Sequence, residues 1–339
     1  MRFDSLPESV VALIEVRDAW RRRVAKSHVG LEFLVSDLAR WQPGSTVRVA
    51  FLDGDATLHA DVAAATAQIT ENCNLELDFG VDAGGQHRRW TEVDTAYAAE
   101  IRVSFDLGGF FSLVGTDSND PTISSAGDSV GGQPHQRSLN LGGFINDRPD
   151  DWEGTVRHEF LHALAFRHSH QNMRGPCEQQ FRWDDDPDYI PTLDPRGVFV
   201  ADAAGRQPGI YTFLAGEPNR WSKAKVDHNL RTEEDPADIA GPFDPASVML
   251  YQFPPFFYKS APSACAPTGN GIDLSAGDKR GLNLLYPGVA AELEVLDTRA
   301  AAALDALGAT SGLESAGLDG GMFRDRVLSL LSERLGSRV

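Results

Sequence analysis

The sequence predicts an α+β fold, and three observations point to it. Short alternating segments recur in the first half, at 45–52, 75–81 and 100–105, as strands do. Helical spacings stand between and after them, at 56–72, 151–166 and 274–287. The tail, 288–339, carries two more amphipathic helical stretches and no strand pattern. The chain divides on this basis into an N-terminal helical extension at 1–40, a main domain at 41–287 and a C-terminal helical extension at 288–339.

Taken in order, residues 6–26 read as a helix. Ser5 can cap it and Pro7 suits its first turn, while Val10, Ile14, Trp20 and Val24 lie on its apolar face. Residues 27–40 connect, and Trp41-Gln-Pro-Gly44 marks a turn into the main domain. Val47, Val49 and Phe51 alternate as a strand requires. The turn after them ends at Asp55, placed to cap a helix over 56–72. Two further strands follow at 75–81 and 100–105, separated by a polar loop. Residues 106–136 are rich in Gly, Ser and Asp, with order suggested only at 111–115. Residues 138–143 read as a short strand at the sheet edge, where an extended peptide could be added. Asp150 or Asp151 can cap the helix at 151–166. A polar stretch over 171–245 shows one short helix near 220–230, and an aromatic-rich segment ends at 258. Ser275 opens and Pro287 closes the helix at 274–287. The C-terminal helices pack on the domain or offer a surface to a protein partner.

With 49 acidic and 31 basic residues the net charge is −18, which repels phosphate backbones and argues against nucleic acid. The basic run Arg21-Arg22-Arg23 reads as a solvated helix face. No apolar run reaches the ~18–20 residues of a membrane span. The first residues make a poor secretory signal, so a cytoplasmic location is expected, with export by an unconventional route as the alternative. Three cysteines, Cys73, Cys177 and Cys265, are too few for a disulfide framework, and free thiols are expected, although Cys177 and Cys265 could pair. Asp184, Asp185, Asp186 and Asp188 offer hard oxygens for Ca²⁺, but without recognisable ligand spacing they read as a solvated acidic loop. His28, His59, His87, His135 and His228 are isolated.

The chemistry concentrates in 155–172, where His158, Glu159 and His162 spell H-E-x-x-H and His168 follows. A spacing of four puts His158 and His162 one turn apart on one helix face. Two neutral imidazoles there can hold one Zn²⁺, and a third ligand completes a site with a position left for water. Glu159 would stand beside that water and take its proton.

The long motif, with His168 as its third histidine, resembles that of the metzincins, zinc endopeptidases, and is nearest to the astacin-like peptidases. WQPGSTVRVAFLDGD, AEIRVSFD, GTD at 115–117, WSKAKVDHN, FDPASVMLY and LSAGDKRGLNLLYP look like segments of that group, so the resemblance covers roughly 41–287. It implies a twisted, mostly parallel sheet with an antiparallel edge strand, an active-site helix and a Met-turn. It also implies His158, His162 and His168 as ligands of one Zn²⁺, Glu159 as general base, Met249 as the methionine of the Met-turn, and Tyr251 as a hydrogen-bond donor to the oxyanion. The substrate would be a protein or peptide.

Three departures stand out. Ala165 occupies the position of a family glycine that lets the chain leave the helix sharply. If φ is positive there, alanine costs on the order of 1 kcal/mol, and His170 is the substitute ligand should His168 fail to reach. Ser169 stands where astacins carry the glutamate that meets a freed amino terminus. FLDGD at 51–55 mimics a propeptide motif but follows a strand, and reads as a turn capped by Asp55. The alternative reading is a zinc-binding regulatory or interaction protein with weak or no turnover.

Overall fold

The computed structural model describes residues 6–26, 31, 33–125, 127–232, 241–309 and 320–336. In chain order its elements begin with α1 (Glu8–Ala25), α2 (Leu34–Ala39), β1 (Thr46–Phe51), α3 (Ala56–Ala65), α4 (Ala67–Thr70), β2 (Glu76–Asp78), β3 (Ile101–Ser104), β4 (Phe110–Ser112), β5 (Leu139–Leu141) and α5 (Trp152–Ala163). They continue with α6 (Cys177–Gln180), β6 (Thr192–Leu193), β7 (Phe199–Val200), α7 (Ile210–Ala215), α8 (Lys223–Leu230), α9 (Ala276–Leu285), α10 (Ala290–Ala309) and α11 (Gly320–Gly336).

Five strands form one sheet in the order β2-β1-β3-β5-β4. All neighbours pair in parallel except β4, which runs antiparallel to β5. Every residue of β3 is buried, as a central parallel strand covered on both faces should be. One of them is Arg102. Its guanidinium donates to the Gln136 carbonyl (2.7 Å) and to Asn119 Oδ1 (3.1 Å), and so organises the glycine-rich loop that composition alone left shapeless. The main core lies between the sheet and α3 and α5, with Phe51, Val62, Ile69, Ile101, Phe160 and Leu164 all fully or nearly fully enclosed.

Several expectations change. The strand over 138–143 lies inside the sheet as β5, and the edge is β4. The helix over 56–72 divides at Thr66, whose hydroxyl donates to the Ala63 carbonyl (2.8 Å) and competes with the helical ladder. The connector at 27–40 contains α2. Pro7 precedes α1 without a side-chain cap, and Ser5 and His28 lie outside the described residues. Arg21 is buried rather than solvated, because Asp120 accepts from its guanidinium at 3.3 Å.

A second core joins the two ends of the chain. Trp20, Val24 and Leu38 pack with Leu307, Phe323 and Val327, so α1 and α2 share an apolar interior with α10 and α11. Polar ties reinforce it, among them Arg334 to the Arg40 carbonyl (2.6 Å) and the Arg299–Asp37 pair.

The stretch after α5 builds a third, aromatic core around Phe181, Trp183, Phe253 and Phe257. Cys177 and Cys265 form a disulfide across it, which overturns the expectation of free thiols there. The two Cα atoms stand 4.9 Å apart, within bridging range, a proximity that a sequence separation of 88 conceals. Asp194 and Asp202 each accept backbone N–H groups two and four residues on, which builds the tight turns around β7. Cys73 remains a free thiol. Among the described residues no helix is long and apolar enough to cross a membrane.

Candidate functional site

The site is built on the end of α5. The helix is anchored at its front by Arg157, which donates to the Ala65 and Ile272 carbonyls. Gly154 lets the chain at Gly271 pass close, since a Cβ there would stand 1.9 Å from the Gly271 carbonyl oxygen. Val156, Phe160, Leu161 and Leu164 bury one face completely. At the other end, Ala165 takes φ 70°. Its N–H donates to the His162 carbonyl (2.9 Å), and the Phe166 N–H donates to that of Leu161 (2.9 Å), the paired closing bonds of a Schellman motif. The last carbonyls are satisfied from outside: Trp41 Nε1 donates to Ala163 (2.8 Å) and the Tyr286 hydroxyl to Leu164 (3.0 Å). The helix therefore stops sharply, and the chain doubles back to bring His168 beside His162.

His158, His162 and His168 converge. Each offers a ring nitrogen, and these atoms lie within 4.8 Å of one another. Nδ1 of His158 faces the Val248 carbonyl at 2.9 Å and Nδ1 of His162 faces that of Phe166 at 2.8 Å. A carbonyl only accepts, so both Nδ1 atoms carry the proton and both Nε2 atoms present lone pairs. Nε2 of His162 and of His168 stand 3.1 Å apart. Two ligands of a tetrahedral zinc with bonds of ~2.0–2.1 Å stand about 3.3 Å apart, so the pair fits that ion. His170, the substitute ligand, is fully buried but not part of this group; its Nε2 meets the Asn229 carbonyl at 2.8 Å.

Glu159 follows His158 on the helix, is 1% exposed, and lines the same cavity as His158. The segment 247–251 lies beneath. Ser169 N–H donates to the Met249 carbonyl (2.9 Å), and Met249 is buried in the main core. The Tyr251 ring stacks with that of His158 (5.6 Å) and lies 4.4 Å from that of His168. Asp278 fixes this segment: one carboxylate oxygen accepts from Ser247 Oγ (2.5 Å), the other from the Val248 N–H (3.0 Å). Val248 in turn holds His158, so Asp278 acts on the first histidine through one residue. Sequence reasoning missed this role, although the Ser275-x-x-Asp278 capping box that positions the carboxylate is readable. Trp41, Asp244 and Tyr286 were missed as well, and no local pattern marks them. The Ser169 hydroxyl donates to the Asp244 carbonyl (3.2 Å).

The other candidates resolve structurally. Asp55 caps α3, accepting from the Leu58 N–H at 2.8 Å. Asp185 and Asp186 accept from the backbone of Gly209 and Gln207, and Asp186 also pairs with Arg182. His59 and His87 sit against Phe51 in an aromatic cluster, and His228 meets Glu15.

Two cavities flank the histidines. One, of about 410 Å³, is lined by Phe110, Thr155, His158, Glu159 and Tyr251. The other, of about 390 Å³, lies between His162 and His168 on one side and α1 on the other. Its α1 wall is charged and locked: Arg17 donates to Asp117 (2.7 Å) and Asp120 (3.1 Å). Burial alone would raise the Asp18 carboxyl, but Arg17, Arg21 and Arg167 hold it down at about 2. For Asp117 burial prevails and the pKa is raised.

No protein-family model and no curated protein matches the sequence. Solved structures do match. A structure of myroilysin shares 25% identity at a TM-score of 0.50, over 74% of this chain and 97% of that one. A crystal structure of myroilysin gives 23% and 0.42, over 74% and 86%. High choriolytic enzyme 1, a hatching enzyme zinc-protease from the medaka fish Oryzias latipes, gives 15% and 0.39, over 73% and 94%.

Proposed function

We propose that this chain, a metzincin zinc peptidase of the astacin-like type, cleaves peptide bonds within protein substrates, with Glu159 as its general base. The observation that carries this is the convergence of His158, His162 and His168, with the Nδ1 protons of the first two committed to carbonyls. These three imidazoles would hold one zinc, which when bound supplies Lewis acidity toward a water and the scissile carbonyl.

The chain's own residues do the rest. Glu159 takes a proton from the attacking water and returns it to the leaving amine. Its near-complete burial keeps bulk water from competing for that proton. The Tyr251 hydroxyl donates to the oxyanion as the carbonyl carbon becomes tetrahedral; its ring, stacked with His158, supports this placement. Met249 gives the imidazoles apolar support from below. The substrate adds to β4, an outermost strand of the sheet whose residues line both cavities. With Ser169 bonded to the Asp244 carbonyl, an incoming amino terminus finds no acidic partner at that position. The Cys177–Cys265 disulfide supports work in an oxidising setting, against the expectation of a cytoplasmic location.

The test is metal analysis together with casein digestion. The native chain should hold one zinc and digest casein until a chelator is added. Glu159→Ala should keep the zinc and lose activity by about 10²–10⁴-fold. Full activity in that variant would remove Glu159 from its role.

A further inference from the structure

We infer that α1 ends the substrate groove on the His168 side, so that only about two or three residues amino-terminal to the scissile bond can lie along β4. The inference rests on the peptidase reading above.

The edge strand supplies the direction. Phe110, its first residue, lines the cavity beside His158 and Glu159, while Phe111 and Ser112 line the cavity beside His162 and His168. A peptide laid on this edge therefore passes both cavities. Antiparallel pairing is the more stable per residue. It puts the amino-terminal part of the peptide beside Ser112, in the second cavity.

That cavity is closed by α1, which is fastened to both lips of the cleft. On the sheet side, Val10 and Ile14 pack with Phe111, Leu113, Ile123 and Val130. On the opposite side, α8 and the residue before it reach α1 twice and the segment leading into it once. Ser222 Oγ donates to Glu8 (3.1 Å), Lys225 Nζ to the Leu6 carbonyl (3.1 Å), and His228 Nδ1 meets Glu15 (3.1 Å). A helix held at both lips crosses the groove as a bar. The space before it, about 390 Å³, is at the small end of ligand cavities of roughly 300–1,000 Å³.

The bar is built in rather than laid on. Arg17 and Arg21 lie buried against Asp117 and Asp120, and lifting α1 would strand those carboxylates. Trp20 and Val24 are embedded with Phe323 and Val327 in the second core. No residue of α1 lines the cavity beside His158 and Glu159, so the carboxyl-terminal side of the substrate meets no such wall.

The experiment uses the zinc-loaded full chain and two peptide series around one bond first mapped in a casein digest. One series lengthens the amino-terminal side and the other the carboxyl-terminal side, each from one to about six residues, the length of an ordinary strand. The expected result is kcat/KM that climbs with carboxyl-side length but levels or falls beyond about three residues on the amino side. Val10→Asp with Ile14→Asp should restore the gain from amino-side length; should that variant not fold, the native series decides alone. A steady climb on the amino side, or levelling on the carboxyl side only, overturns the inference and leaves the peptidase reading standing. If the zinc-loaded chain cuts no peptide in either series and no casein, the peptidase reading falls and takes the inference with it.

Discussion

The amide of Ala165 donates to the carbonyl of His162 at 2.9 Å while Ala165 itself stands at φ 70°. One residue thus closes the helix that carries two of the converging histidines and turns the chain toward the third. A left-handed conformation costs an L-residue roughly 1–2 kcal/mol, and here the cost falls on an alanine. Ala165→Gly is expected to raise stability by about 0.5–1 kcal/mol, the relief of strain being partly offset by a more flexible unfolded chain. Urea denaturation measures it. A less stable glycine variant would mean that the turn carries no strain.

Asp278 reaches the metal-binding group through the Val248 backbone, since Val248 N–H donates to Asp278 and the Val248 carbonyl accepts from His158. Asp278→Ala removes acceptors for Ser247, Val248 and Ser275 together. The expected loss is about 2–4 kcal/mol of stability, with zinc affinity weakened by about 10–100-fold. Zinc competition with a chromogenic chelator separates the two effects. Unchanged affinity in a folded variant would confine Asp278 to capping α9.

His59 and His87 face each other against Phe51, and burial lowers both pKa values below the usual histidine value of about 6.5. Above that pH neither state of the chain binds these protons. Below it the unfolded chain takes them up while the folded chain resists, so stability present at pH 7 is lost as the pH falls. Tm is expected to drop between roughly pH 6.5 and 5. His59→Gln with His87→Gln should flatten that slope, and an unaltered slope would assign it to other groups.

Reduction should single out one lip of the cleft. The Cys177–Cys265 bridge ties the third core, and its loss is expected to cost about 2–5 kcal/mol. Calorimetry with and without a thiol reductant reads this as a lowered Tm. Burial pushes the Cys73 thiol up to about 11, so at neutral pH alkylation should mark it slowly, and only it, in the unreduced protein. Three reactive thiols in the unreduced protein would contradict the bridge.

What the sequence made legible was local. The histidine spacing is readable because a helix turns fixed intervals into a shared face, and Asp55 and Ser275 are readable as caps because a cap acts within three residues. What it hid depends on distant partners. That β4 rather than β5 is the edge follows from pairing order, which a strand of three residues does not encode. Arg21 looked solvated because Asp117 and Asp120, which bury it, lie about a hundred positions away. The elements from α6 to α8 are too short to show a period, and Asx turns rather than apolar rhythm shape much of that region.

The second core also sets an order of events in synthesis. Trp20 finds its packing partner in Phe323, about 300 positions later. At roughly 5–20 residues per second, α1 leaves the ribosome some 15–60 s before α11 exists. Through that interval Trp20 and Val24 lack Phe323 and Val327, while Val10 and Ile14 can already pack with Phe111, Leu113, Ile123 and Val130. The front of α1 can therefore be seated on the sheet well before its far end is covered, and the last helix closes the second core rather than the groove.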